Sequence, residues 1–277
     1  LPKATKIIDA DFYFVWSNYM KKELLKYYPY IQENQIKVVG TPQFETHFKI
    51  KNIDLKTFKT TYDISDDKTY ILFSGDDITT SPKDEQYLET VCKSVKELNK
   101  KHNKNINILF RRCPVDFSNR YNPVLKKYKS LVTEVKPLWQ KQGQIWNTIS
   151  PTREDAILQA CTINVCQLVV NLGSSMVFDA VCHHKPTAFI NFNPVGIDIK
   201  DWSVKKIYNY IHFQSMPSKD AVIWLNSKEE IPDKIIEGLD NPDQYVKLAQ
   251  KWFEIINQHP PQNASERIVA AINNIIQ

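Results

Sequence analysis

Gly173, Ser174 and Ser175 stand in a row between a short apolar, β-branched run at 168–171 and a stretch in which Met176, Phe178, Ala180 and Val181 give a helix its apolar surface. A turn from strand into helix brings backbone N–H groups, two hydroxyls and the positive end of a helix onto one spot, and glycine leaves that spot open. The chemistry it favours is phosphate binding. Ser174 or Ser175 is the expected N-cap. Asp179 follows Ser175 by four residues and shares its helix face, so a carboxylate one turn in from a bound diphosphate could reach ribose hydroxyls. The spacing points to a nucleotide. The same residues also suit a tight strand-to-helix turn with capping serines and an exposed Asp.

Other candidates fall at the ends of predicted strands. Gly75 follows the apolar run 69–74, at the carboxyl end where open α/β sheets bind ligands. Arg111 and Arg112 follow 106–110; a guanidinium fork matches phosphate oxygens, and a surface ion pair is the competing use. Asp116 and Arg120, in the loop beyond, either position a ligand or pair with each other. Pro151 is preset for a helical first turn, and Thr152 and Asp155 are spaced as a capping box. That loop faces the same edge, where backbone groups of Pro151 and Thr152 could recognise a base.

The elements that must carry these residues alternate. Strands are expected at 11–17, 36–39, 69–74, 106–110, 131–135, 168–171, 187–192 and 221–225, and helices at 18–28, 83–102, 152–162, 228–239, 242–256 and 265–276. The pattern predicts an α/β fold: a Rossmann-like doubly wound parallel sheet, preceded by the last βαβ unit of a second Rossmann-like domain. The expected divisions are a remnant of the second domain at 1–48, a linker with a short helix at 49–68, a nucleotide-binding domain at 69–240 and terminal helices at 241–277. Between 121 and 146 the chain is aromatic and basic, with Trp139 and Trp146 but no clean period, and reads as a short helix, a strand near 131–135 and a loop.

Composition narrows the classes. An apolar content of 42% with 12% aromatic residues is that of a folded chain, and no apolar run is long enough to span a membrane. The five cysteines form no CxxC pair, which suits reduced thiols and a cytoplasmic setting. The six histidines are scattered apart from His183-His184, so no metal site is expected. A net charge of +5 suits an anionic ligand or peripheral contact with an anionic membrane face, and nucleic acid is not indicated. Because the chain starts at Leu1, it is expected to be a piece of a longer one, with most of an N-terminal domain upstream.

Taken in order, Trp16-Ser17, Gly40-Thr41-Pro42, Phe73-Ser74-Gly75, Arg111-Arg112-Cys113-Pro114, and Asn171 to Met176 with Asp179 and Lys185-Pro186 form a familiar series. The chain resembles the donor-binding half of GT-B glycosyltransferase-like proteins, a group that includes capsule and surface polysaccharide transferases, CDP-glycerol glycerophosphotransferases and UDP-N-acetylglucosamine 2-epimerases. The resemblance implies a nucleotide-sugar donor held by Gly75, Arg111, Arg112, Gly173, Ser174, Ser175 and Met176, with ribose on Asp179, where family members often carry Glu. It implies no cofactor and no metal, the nucleotide sugar being substrate. The arginine strand of such proteins usually ends in His-Pro, and here Cys113 precedes the proline.

The function expected from it is transfer of a sugar to a bacterial surface glycan or lipid-linked acceptor, in the cytoplasm or at the inner face of the membrane. The general base would come from the other domain, so no catalytic residue is named. An epimerase, a CDP-glycerol-type phosphotransferase and a non-catalytic nucleotide-binding module stand as alternatives.

Overall fold

The computed structural model describes residues 9–141, 143, 148–210 and 213–277. Trp146, expected in a loop, lies outside them. The chain opens with β1 (Tyr13–Val15), α1 (Asn18–Tyr27) and β2 (Ile36–Val38), in which β1 and β2 pair in parallel. Two short strands alone are marginal in water. Here Leu24 and Ile31 close one face, and the C-terminal part of the chain supports the other end: Gln258 N–H donates to the Trp16 carbonyl, and the Asn18 N–H to Gln258 Oε1.

The main sheet has six strands: β3 (Thr69–Ser74), β4 (Ile106–Arg111), β5 (Val132–Glu134), β8 (Leu168–Asn171), β9 (Thr187–Ile190) and β10 (Ile223–Leu225). All neighbours are parallel, in the order β10-β9-β8-β3-β4-β5. The chain therefore builds outward from β3 in one direction, returns to β8 and builds outward in the other. This is the doubly wound order, with its switch point between β3 and β8. The hydrophobic runs of β3, β4, β8 and β9 are nearly all buried because helices cover both faces. Ile71 and Phe73 face the side that also holds Leu88 and Val91 of α4 (Asp84–His102) and Ile235 of α9 (Ile231–Asp240). Tyr70 and Leu72 alternate to the other side, with Phe58 of α3 (Asn52–Thr61) and Cys161 and Ile163 of α6 (Arg153–Val165).

The short helices expected within 49–68 and 121–146 are present, and one small strand pairing was not expected. Residues 49–68 contain α3, whose Phe58 is buried in the sheet's core. Within 121–146 lie α5 (Asn122–Lys127) and β6 (Gln140–Lys141), which pairs antiparallel with β7 (Ile149–Ser150). Strands of two residues are too short to show a two-residue period, so nothing in the sequence marks them.

After α9, α10 (Pro242–Ile256) and α11 (Ala264–Ile276) bring the chain back against the first βαβ unit. Gly40 sits there at φ +79°, and a β-carbon on it would stand 3.0 Å from Asn257 Oδ1 and 3.1 Å from Arg267 Nη2. Asn257 Oδ1 accepts from the Thr41 N–H at 3.0 Å, Arg267 Nε donates to the Val39 carbonyl, and Glu45 Oε1 accepts from the Ser265 N–H. Phe44, 1% exposed, packs edge-on against Phe253. The Gly40-Thr41-Pro42 junction is thus a latch between the two ends of the chain. Among the described residues no helix is long and apolar enough to cross a membrane.

Gly40→Ala should strain both the left-handed backbone and the latch, and lower stability by about 1–2 kcal/mol in urea unfolding. Gly196→Ala should cost less, because at φ +77° it has nothing within 4 Å of its missing β-carbon.

Candidate nucleotide-binding site

Asp155 organises the carboxyl edge of the sheet. Arg111, at the end of β4, donates from Nη2 to both its oxygens at 2.8 and 2.7 Å; the Leu138 N–H and Trp139 Nε1 each donate at 2.7 Å. Arg111 and Asp155 are each 2% exposed. Thr152 accepts the Asp155 N–H and donates to the Leu138 carbonyl, both at 3.0 Å, so it caps α6 as expected. The other half of the capping box does not form, because the Asp155 carboxylate is drawn to the Arg111 charge and not back to the helix start. The ion pair, the indole and the cap together fix the loop 135–139 against the start of α6.

This assembly forms one wall of a cavity of about 690 Å³. Trp139, Pro151, Thr152 and Asp155 line one side; His47 of α2 (Thr46–Lys49) and Asp179 of α7 (Met176–Val181) line the other. The volume is in the range of small-molecule sites. A second cavity of about 850 Å³, lined by Asp77, Cys113, Phe117 and Ile149 among others, meets the first at Trp139. Both open at the carboxyl edge. A depression of about 810 Å³ at the amino ends of β3 and β8, beside Lys56, Lys68 and Gln167, lies on the opposite edge, where open α/β sheets do not bind ligands.

The structure brings Pro151, Thr152 and Asp179 to one cavity and treats the other candidates differently. Arg111 is committed to Asp155, and Arg112 donates to Glu134 at 2.9 Å and to the Ser118 carbonyl at 3.1 Å, so a phosphate would have to share guanidiniums already neutralised by carboxylates. Gly75 is enclosed, since a β-carbon there would lie 2.8 Å from the Tyr121 hydroxyl and 3.2 Å from Asp84 Oδ2. Gly173, at φ +58°, has Tyr208, Ile207 and Phe213 within 2.9–3.2 Å of its missing β-carbon. The space that glycine leaves is therefore occupied by α8 (Val204–Tyr208) and the segment after it. Ser174 Oγ accepts the Met176 N–H at 3.2 Å, and the Ser174 N–H is held by Asn171 Oδ1 at 3.0 Å. Of the two serines it is Ser174 whose hydroxyl bonds this helix start, while Ser175 is exposed. Asp116 and Arg120 pair with each other.

Sequence reasoning missed His47 and His183. His47 Nε2 lies 2.8 Å from Asp179 Oδ1, and His47 Nδ1 lies 2.9 Å from His183 Nε2. Asp179 is 5% exposed, unlike the exposed Asp of a simple capped turn. Burial, with His47, Lys185 and His184 beside it, pushes the His183 pKa down to about 3, so the ring is neutral at pH 7. Local spacing carried no signal, because His47 and His183 are 136 residues apart.

A second buried acid stands beneath Gly75. Asp84 accepts from the Tyr121 hydroxyl at 2.8 Å, and burial raises its pKa from 3.8 to about 6. Asp76 beside it is raised well above the ordinary value by burial and by the charges of Asp84 and Asp77.

No protein-family model and no curated protein matches this sequence. Solved structures do match. The wall teichoic acid polymerase TagF superposes with a TM-score of 0.59 at 15% identity, over 96% of this chain and 58% of TagF. The UDP-GlcNAc 2-epimerase from Neisseria meningitidis bound to UDP-GlcNAc gives 0.59 at 15% identity, over 96% and 62%. S. aureus MnaA with UDP gives 0.58 at 15% identity, over 96% and 60%. These are enzymes of GT-B architecture, and the likeness shows that this chain shares their fold. The chain spans about 58–62% of the length of these neighbours.

Asp155→Ala should strand the Arg111 charge in the interior and cost about 3–5 kcal/mol in urea unfolding. Asp84 gives a pH test of opposite sign from an ordinary ion pair. Its raised pKa favours the folded state below the ordinary 3.8, and that contribution is lost as pH rises through about 6. Asp84→Asn should flatten this decline between pH 4 and pH 6 in thermal melts.

Proposed function

We propose that the chain is the donor-binding part of an enzyme that transfers a sugar from a nucleotide-diphosphate sugar to a surface glycan or lipid-linked acceptor. The observation that carries the donor reading is the convergence of the 151–152 loop and Asp179, far apart in sequence, on one cavity. Pro151 and Thr152 would meet the base and Asp179 the ribose. The diphosphate would lie toward Ser175 and the start of α7, because Arg111 and Arg112 are already paired with Asp155 and Glu134. The departing diphosphate would be stabilised by the backbone dipoles there. The acceptor and a general base would come from elements beyond the sheet.

Two neighbours support a second reading: UDP-GlcNAc 2-epimerase and TagF have the same architecture, so epimerisation or CDP-glycerol-type transfer is the competing chemistry. Analysis of products from a nucleotide sugar separates a new epimer from a transferred group, and binding without turnover would favour a non-catalytic module.

Calorimetric titration with UDP, CDP and GDP tests the donor site. One of them should bind, and Asp179→Ala should weaken it about ten-fold or more, the loss of charge-assisted hydrogen bonds to ribose. Binding unchanged in Asp179→Ala, or absent for all three, counts against this assignment.

A further inference from the structure

His47 and His183 lie beside the donor cavity without a role in the reading above, and their hydrogen bonds define where each proton sits. The Asn164 amide nitrogen, a donor only, faces His183 Nδ1 at 3.4 Å. His183 Nδ1 is then the acceptor, and its ring proton is on Nε2. From there it is donated to His47 Nδ1 at 2.9 Å, which leaves the His47 proton on Nε2, pointing at Asp179 Oδ1 at 2.8 Å. The chain of donors runs one way, from Asn164 through two imidazoles to a carboxylate. Protonating His183 would set an N–H against the Asn164 N–H, and the low pKa of His183 agrees with this.

The consequence falls on Asp179. One oxygen is held by His47, and its second oxygen accepts no hydrogen bond among the described residues, while the residue lines the cavity. A carboxylate pinned in this way presents one free acceptor in a fixed direction. His47 is itself held from outside the sheet, because Phe44 and Glu45, just before it, pack on Phe253 and accept from the Ser265 N–H.

We infer that His47 is a positioning residue for the donor, and that the relay Asn164–His183–His47 orients the Asp179 carboxylate to select a ligand with ribose hydroxyls over one without them. The inference rests on the donor-site reading above. A purely structural role for His47 would lower stability without touching that selection.

The test compares UDP and CDP with their 2′,3′-dideoxy counterparts by calorimetry on the full chain. The wild type should prefer the ribonucleotide about ten-fold or more. His47→Ala should bring the ratio near one, and His47→Gln, whose amide can still donate to Asp179, should restore part of the preference. A His47→Ala protein that discriminates like the wild type overturns the inference and leaves the donor site standing. A wild type that binds neither form overturns the donor reading and this inference with it, and one that binds both equally overturns the inference while nucleotide binding stands. A second measurement needs no variant: ¹⁵N imidazole spectra should show both His47 and His183 protonated on Nε2, and a proton on His47 Nδ1 refutes the relay even if every variant unfolds.

Discussion

The buried pairing of Arg111 with Asp155 is the constraint on which the carboxyl edge depends. A charge pair removed from water gains little over a well-packed apolar pair, but either partner alone would be a severe liability. The fold meets this condition by giving Asp155 the Leu138 N–H and the Trp139 indole in addition to the guanidinium. The guanidinium comes from the end of β4, the other two donors from the loop after β5, and the carboxylate from the first turn of α6. Satisfying one carboxylate therefore fixes the end of β4, the loop after β5 and the first turn of α6 at once, and the cavity wall is a by-product of that satisfaction.

The opposite wall is held by contacts of another kind. α2 is too short to be stable alone. It is placed by the latch at Gly40 and Thr41 and by Phe44 packed on Phe253, and these put His47 within hydrogen-bonding distance of Asp179. The cavity therefore lies between elements belonging to the two ends of the chain and the middle of the sheet. Any shift of the first βαβ unit relative to the sheet would be felt at the Asp179 carboxylate.

Glycines show how a ligand-like pattern can have a packing cause. Gly75 and Gly173 both follow buried strands at the expected edge, and in both the missing side chain makes room for protein atoms: a tyrosine hydroxyl over one, Tyr208 and Ile207 over the other. A tight turn between a strand and a helix needs close approach whether or not a phosphate binds nearby.

The strands, the main helices, the doubly wound order and the carboxyl edge as the place of the candidate residues were legible in the sequence by itself, because apolar runs, helical spacing and punctuation by glycine and proline are local properties of the chain. The 151–152 loop and Asp179 were legible as candidates for the same reason. Only the tertiary structure decided which charges neutralise one another and which stay available. Arg111 meets Asp155 across 44 residues, and His47 meets Asp179 across 132. Such partners are chosen by how helices pack on the sheet, and no periodicity along the chain records that choice.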